Sequence, residues 1–143
     1  MAVLVAGCAS GGMQKMSADD AVKARQQLMK DQGAALKAIG DKLKAGDTSI
    51  AENALTLKGT SQRIPSLFPE GSLNPKVSRA KPEIWQKWAD FEGNAKRLNE
   101  KAGQLEAMAK SGANAPALGA AAGDLGRTTC VVCHDGFRGP EIK

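Results

Sequence analysis

An all-α, antiparallel up-down four-helix bundle is the fold this sequence predicts, on three observations. Past position 16, apolar residues recur at spacings of three and four, not at the two-residue period of a strand. The stripes are joined by short links and one longer loop, and helices joined this way bury their faces best side by side at about 20°. No segment repeats another at a fixed period, which argues against a helical array.

Ser17 is a good N-cap for the first helix, with Asp19 and Asp20 in its first turn, where carboxylates suit the helix dipole. Val22, Met29, Leu36 and Leu43 follow at sevens, with Ile39 between, and the helix stops near Gly46. The second helix starts around Asp47 to Ser49 and carries Ile50, Ala54, Leu57 and Ile64 before Pro65. A loop rich in Pro, Gly and Ser runs to about Lys81, with Leu67 and Phe68 as its apolar content. Pro82 opens the third helix, where its missing N–H costs nothing. That helix has the cleanest stripe: Ile84, Trp88, Phe91, Ala95, Leu98, Ala102 and Leu105. After a break at 112–115, the fourth starts at Pro116, shows Leu118, Ala122, Leu125, Thr129 and Val132, and ends near 136–139.

The chain has 143 residues, enough for one domain. Its net charge of +5 is mild, which speaks against a nucleic-acid binder. Gly 16 and Pro 6 exclude a collagen-like or linker-dominated chain. Apolar residues make up 42%, yet Trp 2, Phe 3 and Tyr 0 leave little aromatic volume. A core built largely of alanine is thin unless something bulky packs into it, which hints at an apolar cofactor.

Residues 1–16 read as a leader and 17–143 as the helical domain. No apolar run approaches the ~20 residues of a membrane-spanning helix. The longest, Ala2 to Ala9, looks like the tail of an export signal. Val5-Ala6-Gly7-Cys8 also matches the bacterial lipoprotein box, in which Cys8 becomes a lipid anchor. A truncated signal and a lipoprotein remnant both place the chain outside the bacterial cytoplasm, in the periplasm.

Cys130-Val131-Val132-Cys133-His134 is the attachment signature of c-type haem. Two thiols at this spacing add to the two haem vinyl groups, and the next residue offers an imidazole to the iron. A thioredoxin-like pair needs a preceding strand, and none is present. A zinc site needs about four N or S ligands, for which Cys8 would have to be recruited from the leader. Three cysteines make a disulfide framework a poor explanation.

The chain holds one histidine, so ligation by two imidazoles is excluded by arithmetic. A methionine, a Lys or terminal amine, water or nothing remains for the opposite side of the iron. Met108 lies about 24 residues, roughly 36 Å, along the third helix, out of reach. Met1, Met13 and Met16 precede the helices, whereas Met29 lies on the inward stripe. Its bland role is core filling. Arg25, one turn earlier, is a cation on an apolar stripe and suits a haem propionate. Arg138 and Lys81 can serve the same end, and Arg127 reads as solvated.

Three segments then meet a known pattern: Arg25-Gln26-Gln27-Leu28-Met29-Lys30, Leu67-Phe68-Pro69 and Lys81-Pro82-Glu83-Ile84-Trp85. With Cys130 to His134 and Phe137-Arg138, they resemble the class II c-type cytochromes, the cytochrome c-prime family, over residues 17 to 139. The resemblance implies a four-helix bundle with covalent haem c near the C-terminus. In the pentacoordinate branch, an apolar residue four after the arginine covers the distal face. Met29 at that position looks like the low-spin six-coordinate branch, in which it binds iron opposite His134.

On that expectation the protein is a periplasmic one-electron carrier, not an enzyme. Cys130 and Cys133 anchor haem, His134 and Met29 ligate iron, and Arg25 and Arg138 meet propionates. Phe68, Trp85 and Trp88, with Leu67, wall the pocket. The alternative is a five-coordinate haem protein that binds NO or CO, with Met29 packed over the distal face. A peroxidase-like enzyme would want a second histidine as general acid/base. The expected partner is a redox protein, acidic if the +5 charge steers docking. The chain is expected to be a monomer or a homodimer.

Overall fold

The computed structural model describes residues 15–143, so Met1, Cys8, Met13 and the anchor expected at Cys8 lie outside the described residues. The predicted bundle is present. α1 spans Ala18–Lys44, and its start is set by Ser17, whose Oγ accepts a hydrogen bond from Asp20 N at 3.1 Å. Gly46, at φ 78°, lets the chain turn back. α2 spans Ala51–Arg63, after a turn in which the Asp47 carboxylate accepts from Ser49 N at 2.9 Å. One 3-10 turn, Pro65–Leu67, opens the long loop.

The third and fourth helices depart from the continuous rods expected. The third is split into α3, Glu83–Gln86, and α4, Trp88–Lys110, at Lys87 with φ −121° and ψ 48°. The break lets Trp85 face the loop, where its Nε1–H donates to Phe68 O at 3.0 Å, while Trp88 turns onto Phe91. The fourth is α5, Ala115–Leu125, then a π-helical turn, Gly126–Val131, then α6, Val132–Phe137. The hydroxyls of Thr128 and Thr129 donate to Asp124 O at 2.8 Å and Leu125 O at 2.7 Å. These bonds compete with backbone N–H groups for carbonyls four residues back, which widens the turn.

α2 packs along α4, and α1 lies against α2 and α5. Ala54 and Ala102, both fully buried, let the backbones approach, and Ile39, Ile50, Leu57, Leu105 and Leu118 fill the interior. Each such aliphatic side chain contributes about 1.5–3 kcal/mol by leaving water. At the other end the chain closes on itself. Lys81 N donates to Phe137 O at 3.0 Å and Gly139 N to Arg79 O at 2.7 Å, which pins the long loop to the end of α6. Among the described residues no helix is long and apolar enough to cross a membrane.

Candidate functional site

At that closed end α1, the loop, α4 and α6 surround a cavity of about 440 Å³, within the range of small-molecule and cofactor sites. Arg25, Met29, Phe68, Cys133, His134 and Arg138 are among its lining residues. A smaller cavity of about 40 Å³ adjoins it and is lined by Met29, Gln32, Cys130, Cys133 and His134. Both cysteines are half-buried free thiols. One imidazole and two thiols three residues apart thus meet at one apolar slot, the donor set that a covalently attached haem requires.

The electrostatics suit a metal ligand. Burial, then the charges of Arg138 and Arg79, hold the His134 imidazole below its ordinary pKa against the opposing pull of Asp135. A neutral imidazole at neutral pH has a lone pair to give. Burial, then the neighbouring Cys130, pushes the Cys133 thiol up to about 11, so it stays protonated at neutral pH until it is used.

The molecule's aromatic content converges here. Phe91 meets Phe68 with ring centres 4.8 Å apart at 67°, and Phe137 at 5.5 Å and 85°. Trp88 stacks beside Phe91 at 5.4 Å and Trp85 beside Phe68 at 6.4 Å. Edge-on pairs of this kind add about 0.5–1.5 kcal/mol beyond burial.

Most sequence-predicted residues are brought together: Arg25, Met29, Phe68, Cys133, His134 and Arg138 line the larger cavity, and Cys130 the smaller. Trp85 and Trp88, expected to wall the pocket, border neither of these two cavities. They lie behind Phe68 and border a separate surface cavity with Pro65 and Glu70, because the break at Lys87 turns them away. Leu67 is buried in the core but does not border the larger cavity. Lys81 Nζ donates to Gly136 O at 3.2 Å and pairs with Glu83 at 3.5 Å, so it braces α6. Arg25 is 3% exposed and gives its terminal nitrogens to the loop. Sequence reasoning missed Arg79, Ser78 and Gln32, which have no local period or motif to mark them.

A family model described as "Cytochrome C'" matches residues 20–138. The cytochrome c' of Rhodospirillum rubrum is 32% identical over 120 residues, covering 82% of this chain and 80% of that protein. The cytochrome c-556 of Agrobacterium tumefaciens is 32% identical over 121 residues, 82% of this chain and 95% of that one. Among solved structures, the nitric oxide complex of a variant of cytochrome c prime from Alcaligenes xylosoxidans superposes with a TM-score of 0.76 at 28% identity. It covers 89% of this chain and all of that one.

Proposed function

Because the chain belongs to the cytochrome c' family, we propose that it is a periplasmic haem protein that takes NO or CO on the face opposite His134. Its cofactor is a covalently attached c-type haem. When bound, that group supplies one-electron chemistry and, if the chain gives it one axial ligand, a coordination position open to gases. Cys130 and Cys133 hold it through thioethers, and His134 provides the nitrogen donor. Met29 covers the other face as a flexible apolar side chain. The single histidine is used beside the cysteines, so the face that Met29 covers has no imidazole to move protons.

Support for gas binding comes from the likeness, along 89% of this chain, to a protein solved as its nitric oxide complex. A second reading, the one-electron carrier with Met29 as sixth ligand, is favoured by one observation: Met29 and His134 border both cavities together. A thioether there would favour the reduced state. Under either reading, the exposed Lys30 and Arg138 at the larger cavity suit an acidic redox partner.

The visible spectrum of the ferrous holoprotein separates the two. Ready binding of CO at neutral pH, with Met29→Ala changing the spectrum little, is the expected result. A sharp low-spin α band that ignores CO, and that Met29→Ala converts into a CO binder, would establish the carrier instead.

A further inference from the structure

A cavity of about 380 Å³ opens where the 3-10 turn Pro65–Leu67 meets the break at Lys87, on the outer side of Phe68. That volume is in the range of sites for one small ligand. Both tryptophans of the chain, Trp85 and Trp88, line it, and both are only half-buried. They rest on different rings, Trp85 on Phe68 and Trp88 on Phe91, so they form two separate walls. Two large aromatic side chains left partly open to water at one place call for a reason, because full burial is worth more.

The polar groups around this outer cavity are unevenly matched. Trp85 Nε1–H is spent on Phe68 O at 3.0 Å, and the Ser66 hydroxyl on Arg63 O at 2.8 Å. Phe68 N–H donates to Pro65 O at 3.2 Å, and Pro65 and Pro69 have no N–H to give. An anion therefore finds few donors. Glu70 is the one ionisable residue lining the cavity. It is exposed and, among the described residues, forms no ion pair. Arg63 and Lys87, cations close to these residues in sequence, do not line the cavity. The charged groups at the rim of a haem are carboxylates, so the cofactor supplies Glu70 with no counter-charge. The outer cavity shares only Phe68 with the larger one, and no residue that holds haem lines it.

We propose that the outer cavity binds a small organic cation of the quaternary ammonium class, held against the two indole rings and balanced by Glu70. Such a cation has no N–H to satisfy and spreads its charge over methyl groups that suit apolar walls. It is drawn to the negative face of an aromatic ring, and indole is the strongest of the rings. A primary ammonium or a guanidinium needs several acceptors to replace its water, and Glu70 is the one charged acceptor here. An uncharged apolar ligand would instead strip water from the Glu70 carboxylate with nothing in return.

The test is a titration of mature holoprotein with choline, followed by calorimetry and by the indole N–H resonances of isotope-labelled protein. Trp85 and Trp88 are the only tryptophans, so the indole resonances report on this cavity alone. Choline is expected to bind at a single site and to move both. Dimethylbutanol, in which an uncharged tert-butyl group replaces the trimethylammonium, is expected to bind about tenfold more weakly. Trp88→Leu keeps an apolar side chain but removes the ring, and is expected to weaken choline about fivefold. Glu70→Gln is expected to weaken it about threefold, the scale of an exposed charge. Indole resonances that choline leaves in place, or moves no further than sodium chloride does, would overturn the site. Equal binding of choline and dimethylbutanol would overturn its preference for a cation, and unchanged binding in Glu70→Gln the part given to the carboxylate. If Trp88→Leu fails to fold, the uncharged analogue and Glu70→Gln still decide.

Discussion

Phe91 touches Phe68, Phe137 and Trp88, three of the other four aromatic side chains, and is 2% exposed. Cutting it to alanine removes the ring that the others lean on and opens space where the loop, α4 and α6 meet. Phe91→Ala is expected to cost about 3–5 kcal/mol, measured by urea unfolding of the holoprotein. A loss under 1 kcal/mol would mean that the cluster repacks freely. The three-and-four stripe of the third helix makes the inward direction of Phe91 legible from sequence alone. Its partners are not, because they sit on a loop and on the last helix, where no period registers them. Arg25 teaches the same lesson. Its place on the stripe is readable, but its serine partners lie 47 and 53 residues further on. The haem-attachment pentapeptide is the opposite case, since its chemistry is carried by adjacent residues.

The helices themselves were legible wherever local rules decide them. Ser17 and Asn114 cap α1 and α5 through their side chains, Asn114 Oδ1 accepting from Ala117 N at 2.9 Å. Two features were hidden: the break at Lys87, which answers to the loop through the Trp85 bond to Phe68 O, and the π-helical turn before α6, whose adjacent threonine hydroxyls bond carbonyls four residues back, a local pattern that no apolar period marks. Helix ends give an element-level prediction. Gly112 ends α4 at φ +83°, with open space around its missing Cβ, so only backbone strain opposes a side chain there. Gly112→Ala is therefore expected to destabilise by about 1–2 kcal/mol, the cost of a left-handed alanine, read as a lowered thermal midpoint. Gly93→Ala, inside α4 with nothing nearby to strike, is the matched control. Helix propensity there favours alanine by about 0.5–1 kcal/mol, so the two substitutions should move the midpoint in opposite directions.

Across the whole molecule, charge ties the bundle together laterally. Glu106 on α4 bridges Lys110 on its own helix and Lys58 on α2, the latter at 3.4 Å. Asp124 on α5 pairs with Lys101 on α4. The hydrogen bond from Lys110, with the charges of Lys110 and Lys58, holds the Glu106 carboxyl below its ordinary pKa. The Lys101 hydrogen bond and charge do the same for Asp124. A carboxyl whose folded pKa is depressed binds protons less readily folded than unfolded. Its contribution is thus complete above the unfolded value, about 4 to 4.5, and is lost as pH falls through the folded value. Stability of the holoprotein should therefore hold between pH 7 and 5 as far as these groups are concerned and decline below about pH 4. Unfolding midpoints at pH 7, 5 and 3 for wild type and for Glu106→Gln with Asp124→Asn provide the check. The double variant begins less stable at pH 7, because both bridges are gone, and loses less between pH 5 and 3. Parallel curves for the two proteins would show that acid acts elsewhere, with the half-buried imidazole of His134 as the next group to test.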